Sequence, residues 1–173
     1  GARKSIARQI GLHIRKEARI RDFWSVMEEE ESVEDIIDME RRLGNFIQAR
    51  LSGMTTAWES QRVPQDIYQK VRQRKEQDGT RFEENLSLGD EFKIITKKDN
   101  WEDVFKAVFI LKGGFKTYEE LELGFKYLSE IRNPAAHGKT VIPIKDDLDL
   151  CRLYLQKFSR VVPEIISEFP GVL

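Results

Sequence analysis

TYEELELGFKYLSEIRNPAAHGKT, residues 117–140, is the stretch whose reading decides the fold. Thr117 and Glu120 have the spacing of a capping box, in which the hydroxyl and the carboxylate satisfy the first free N–H groups of a helix. Leu121, Phe125, Leu128 and Ile131 follow at intervals of three and four, which places them on one helical face. Pro134 then disfavours helical geometry at Asn133 and cannot donate a backbone bond. The stretch therefore reads as a capped amphipathic helix that ends near Arg132.

Working outward, the same grammar recurs. Upstream, Asp99 with Glu102 resembles a capping box before a face of Trp101, Val104, Phe105, Val108 and Phe109, and Lys112-Gly113-Gly114 stops that helix. Ser87 to Thr96 reads as a helix with Leu88, Phe92 and Ile95 inward. Pro64 suits a first helical turn, with Ile67, Tyr68 and Val71 behind it. Arg72 to Arg81 is polar, contains Asp78-Gly79 and reads as a loop. Ser32 with Asp35 reads as an N-cap with an acidic first turn, before Val33, Ile36, Ile37, Leu43, Phe46, Ile47 and Leu51; that helix ends near Ser52-Gly53. Downstream, a short extended linker over Val141 to Ile144 leads into a helix from about Asp146 to Glu168. Its stripe is Leu148, Cys151, Leu155, Phe158, Val162 and Ile166, and Pro163 kinks or interrupts it. No sustained alternation of period two appears. The expected class is all-α: a single helical-bundle domain of about five core helices over 32–173, with a basic N-terminal helical extension or linker over 1–31.

The chain has 173 residues, 34% of them charged, with 29 Lys+Arg against 30 Asp+Glu. A net charge of -1 argues against a protein that coats a polyanion. The positive charge is uneven, however. Residues 3–27 carry seven Lys/Arg against Glu17 and Asp22, and Arg62 to Arg81 holds six against Asp66, Glu76 and Asp78. The first of these stretches, with Ile6, Ile10 and Ile14 and then Ile20, Phe23, Trp24 and Met27, reads as an amphipathic helix with a break between the clusters. It suits a solvated helix leading in from an upstream domain, with a membrane or nucleic-acid role also open. The lone Cys151 and two histidines make neither a disulfide nor a zinc site, and a reducing, intracellular compartment is expected. No apolar run is long enough for a bilayer span, so no membrane is expected. The absence of an initiator Met suggests a piece of a longer protein with additional domains.

The chemistry-bearing residues lie at the helix stop. Gly138-Lys139-Thr140 matches the end of a phosphate-binding P-loop, but position 133 is Asn where that motif needs Gly, and a helix precedes the segment where it needs a strand. On one continuous helix Arg132 and His137 would point about 140° apart. The turn imposed by Asn133-Pro134, an N-cap followed by a first helical residue, brings a guanidinium and an imidazole to a kink. Arginine grips phosphate bidentately, and histidine gives or takes a proton near neutrality. With no acidic cluster for two metals, RNA cleavage through the substrate's own 2′-hydroxyl is the chemistry that fits. The same residues also read as a helix stop followed by a capping or surface histidine.

Arg132-Asn133-x-x-x-His137 at the end of a helix resembles the R-x4-6-H motif of the HEPN superfamily. The pattern of Trp58, Pro64, Leu88, Phe92, Ile94, Ile95 and Asn100-Trp101-x-x-Val104-Phe105 is similar to the HEPN domains that follow a PIN nuclease domain in nuclear transcript surveillance, and to bacterial relatives. The likeness covers about residues 32–168. It implies a HEPN-like bundle and a metal-independent endoribonuclease, without a cofactor, in RNA surveillance or defence. It is nuclear if eukaryotic and cytoplasmic if prokaryotic. Arg132 would hold the scissile phosphate, His137 would be the acid/base group and Asn133 would orient the pair or contact the backbone. Active members unite two motifs across a homodimer. Only His13 and His137 exist, and a twofold interface supplies a second catalytic imidazole. Members silenced by a nucleotidyltransferase carry Tyr two residues after the His, where this chain has Lys139. Lys139 could add phosphate affinity and Glu130 could orient a motif side chain; both also read as plain surface residues. The alternative function is a non-catalytic HEPN module that binds RNA or nucleotide, or dimerises, for a neighbouring enzymatic domain.

Overall fold

The computed structural model describes residues 17–112, 114–133 and 145–162, with side chains from residue 33 onward except at 111, 112 and 145–147. Among them there is no strand, and the domain is an all-α bundle. Helix α1 spans Glu17–Ser52, α2 is the single turn Trp58–Gln61, and α3 spans Gln65–Asp78. A 3-10 turn at Phe82–Asn85 leads to α4, Leu88–Thr96. Helix α5 begins at Lys98–Asn100 and continues in wider π turns over Trp101–Phe105 and Ala107–Lys112. Helix α6 is Tyr118–Arg132 and α7 is Lys145–Ser159.

The deciding stretch folds as its pattern dictates. The Thr117 hydroxyl accepts from the Glu120 N–H at 3.2 Å, which caps α6. The Glu120 carboxylate reaches back one residue further than a capping box requires, to the N–H of Lys116 at 2.8 Å. Its other oxygen takes the Lys157 ammonium of α7. Leu121, Phe125, Leu128 and Ile131 are all buried. Gly124 lets α7 close in, since a Cβ there would lie 2.8 Å from the Tyr154 ring. The core is aromatic. Phe158 of α7 stands edge-on to Phe125 at 4.9 Å and meets Phe115 at 5.0 Å, and Phe46, Phe105 and Phe109 continue the cluster toward α1.

Four expectations are corrected. First, α1 runs unbroken through the acidic run, so Ser32 is inside a helix and is not its N-cap. The apolar stripe downstream of it continues one long helix, and of that stripe Ile37 stays 43% exposed. Second, Arg72–Asp78 is helical, because the Arg72–Glu76 pair at 3.3 Å supports the turn. The real stop is Gly79, at φ 68°, whose N–H bonds to the Lys75 carbonyl. Third, Asp99 does not cap α5. The helix starts at Lys98, and the Asp99 carboxylate accepts from the next N–H, of Asn100, and from Lys97. Fourth, α5 is wound in π turns, with the Lys106 N–H on the Trp101 carbonyl five residues back. The wider turn lines up Trp101, Phe105 and Phe109, four residues apart, on the core side.

In α7 Leu148, Cys151 and Phe158 are buried, as is Val162 beyond the helix end at Ser159, and burial pushes the Cys151 thiol up to about 11, so it is an inert core thiol. Among the described residues no helix is long and apolar enough to cross a membrane. His13, the Ile6–Ile10–Ile14 repeat, the linker after Asn133, Pro163 and Ile166 lie outside the described residues.

Candidate functional site

Three separated segments converge at the C-terminal end of α6. α1 brings Glu40 there and α6 brings Ser129, Arg132 and Asn133, while the first turn of α4 brings Ser87, Leu88 and Gly89. The convergence is built on a close approach. At Gly44 of α1 a Cβ would lie 2.7 Å from the carbonyl oxygen of Glu83, so only glycine lets the 3-10 turn pack directly on the helix. That contact sets the start of α4 against α1. The Leu88 N–H donates to a Glu40 carboxylate oxygen at 3.2 Å, and Ser87 caps the helix reciprocally with Asp90.

These segments border a cleft of about 540 Å3, which Arg74 of α3 and Glu84 also line. Arg132 reaches it from the last turn of α6, where a cation is favoured by the helix dipole. Its guanidinium stands 3.8 Å from the other Glu40 oxygen, an ion pair too long for a direct hydrogen bond. Its side chain is 35% exposed, and its Nε–H, which is buried, has no hydrogen-bond partner among the described residues. Burial holds the Glu40 carboxyl above the usual carboxylate range, with Arg132 and the Leu88 N–H pulling it back down. Asn133 follows at the helix end, exposed, with its N–H on the Ser129 carbonyl.

Of the residues singled out in the sequence, Arg132 and Asn133 line the cleft. Glu130 is half-buried on α6 and is not part of its lining. His137 and Lys139 lie outside the described residues. Among those residues no group of His, Cys, Asp and Glu could hold a metal ion.

Sequence reasoning missed Glu40, Glu84 and the α4 first turn. Only Ser87-x-x-Asp90, a capping signature in plain sight, could have announced the last of these. It also missed Glu91, which is fully buried one turn into α4 with neither oxygen hydrogen-bonded. Burial first, and then the charges of Glu40 and Asp90, hold its carboxyl well above the ordinary range. The carboxyl lies within the packing of α1 on α4.

A guanidinium so placed can do one thing well. Its side chain is part-exposed at an open cleft, where an oxyanion can replace the long contact to Glu40. No family model, no curated protein and no solved structure matches the chain.

Proposed function

We propose that the chain is a metal-independent endoribonuclease of the HEPN type, acting in RNA surveillance or defence. Arg132 binds the scissile phosphate. His137 takes the proton of the substrate 2′-hydroxyl, whose oxygen attacks phosphorus and displaces the 5′-oxygen of the next nucleotide. The same histidine of a second copy gives that oxygen its proton, so a homodimer is the working unit. Asn133 orients the pair. The products are a 2′,3′-cyclic phosphate and a 5′-hydroxyl, and DNA is spared because it lacks the nucleophile. The near-neutral chain binds RNA weakly and in a salt-sensitive way, and neighbouring domains add affinity.

The observation that carries this reading is Arg132, part-exposed at a helix end that borders an open cleft. The test is cleavage of single-stranded RNA in EDTA by the native chain, Arg132→Ala and His137→Ala. Each variant is expected to lose at least about 100-fold in rate. Equal cutting by all three refutes the assignment. Binding by the native chain without cleavage, lost in both variants, identifies a binding module for a neighbouring enzyme.

A further inference from the structure

The cleft contains a second arginine that the reaction above does not use. Arg74 lines it from α3. The other cations of α3 are engaged: Lys70 donates to Asp90 at 2.6 Å, Arg72 pairs with Glu76 at 3.3 Å, and Lys75 faces Glu59 at 3.9 Å. Arg74 is exposed and has no acidic partner among the described residues.

Helix α3 itself points the same way. Its buried residues are Ile67 and Val71, both in its first half. Beyond Val71 the helix covers no core, yet it continues to Asp78, supported by the Arg72–Glu76 pair and closed by Gly79. A short polar helix end has little packing to offset the entropy of ordering it. What these turns do in this fold is carry Arg74 to the cleft.

The acids of the cleft do not cancel it. The Glu84 carboxylate accepts from the Arg81 N–H and guanidinium, which hold it below the usual range. Glu40 accepts from the Leu88 N–H and faces Arg132. The start of α4 also lines the cleft. There Gly89 is exposed, and a Cβ would meet only the Ser87 hydroxyl at 3.8 Å, so packing does not demand glycine.

We infer that Arg74 is a second phosphate-binding residue, so that one RNA strand is held in the cleft at two phosphates, one on Arg132 and one on Arg74. This rests on the reading that the cleft binds RNA. Two fixed phosphates set the strand's register, and Arg74 contributes to substrate affinity and not to the chemical step. Its planar fork suits a phosphate bidentately, which a lysine cannot reproduce.

The test uses a fluorescent 12-nucleotide 2′-O-methyl RNA, which keeps every phosphate and cannot supply the nucleophile. Its binding to the native chain, Arg74→Ala and Arg74→Lys is followed by anisotropy across a NaCl series. Arg74→Ala is expected to bind about tenfold more weakly, with the slope of log affinity against log salt shallower by about 0.7. Arg74→Lys is expected to keep the slope and lose part of the affinity. On unmodified RNA, Arg74→Ala should raise KM and leave kcat within about twofold. Circular dichroism verifies folding, and Arg74→Gln replaces the alanine variant if that one fails to fold. A native chain that cuts RNA, with an Arg74→Ala variant of unchanged affinity and slope, overturns this inference alone. A native chain that neither binds nor cuts overturns the RNA reading, and this inference with it. Displacement of the RNA by ATP at equal phosphate concentration overturns the strand in favour of a free nucleotide.

Discussion

The two ends of α6 are built on opposite terms. At its start, polar groups are engaged: Thr117 caps the helix, Glu120 takes both the Lys116 N–H and the Lys157 ammonium, and Tyr118 lies edge-on to Trp101 at 5.6 Å. Phe125 and Phe158 follow in a closed aromatic cluster. At its finish, among the described residues, Arg132 has one ion pair, of 3.8 Å to Glu40, and Asn133 is exposed. A part-exposed guanidinium at the end of a well-anchored helix is available to a ligand. The rigid end positions the open one.

Substitutions should separate the two ends by size and by kind. Phe158→Ala should have the largest effect, a loss of about 3 to 5 kcal/mol from the cavity it leaves in the aromatic cluster, read as a fall in urea midpoint. Glu91→Gln tests the buried acid where α4 packs on α1. A carboxyl whose folded pKa is raised contributes stability that is fully present below its unfolded value of 4.5, and that is lost as pH rises through the folded value. The native chain should therefore lose stability from about pH 4.5 upward, while Glu91→Gln flattens that dependence and gains about 1 to 3 kcal/mol at pH 8. Urea titrations at pH 4 and pH 8 decide it; equal curves for the two proteins would mean that Glu91 is not held neutral. Thr117→Ala should cost about 1 kcal/mol, the worth of one cap. Arg132→Ala should move thermal stability by no more than about 0.5 kcal/mol while abolishing RNA cleavage. A large stability loss there would make Arg132 a structural residue and erase the contrast.

Local patterns revealed the local features. The Thr117 cap, the buried row behind it and the Ser87–Thr96 helix follow from spacing and side-chain chemistry a few residues apart. The errors came where a neighbour distant in sequence, or a backbone choice, overrode the pattern. Ser32 looks like a cap, yet it lies within a helix that contacts α4, α6 and α7 and runs through it. Arg72 to Asp78 looks like a loop because it is polar, but an i,i+4 ion pair and a left-handed glycine keep it helical. The widened turns of α5 leave no signature in a face whose residues also suit an ordinary helix. In the candidate site, Arg132 and Asn133 were legible because a proline marks their helix end. Glu40 was not, since its link to Leu88 joins positions 48 apart and depends on a backbone approach at Gly44.

That approach belongs to a helix with an awkward schedule. Helix α1 packs on α4, α6 and α7, and α7 begins roughly a hundred positions after α1 is complete. On a ribosome adding about 5 to 20 residues per second, its apolar side waits on the order of ten seconds for its last partner. Through that interval Ile36, Leu43, Phe46 and Ile47, all buried in the finished fold, lack their full cover on the nascent chain.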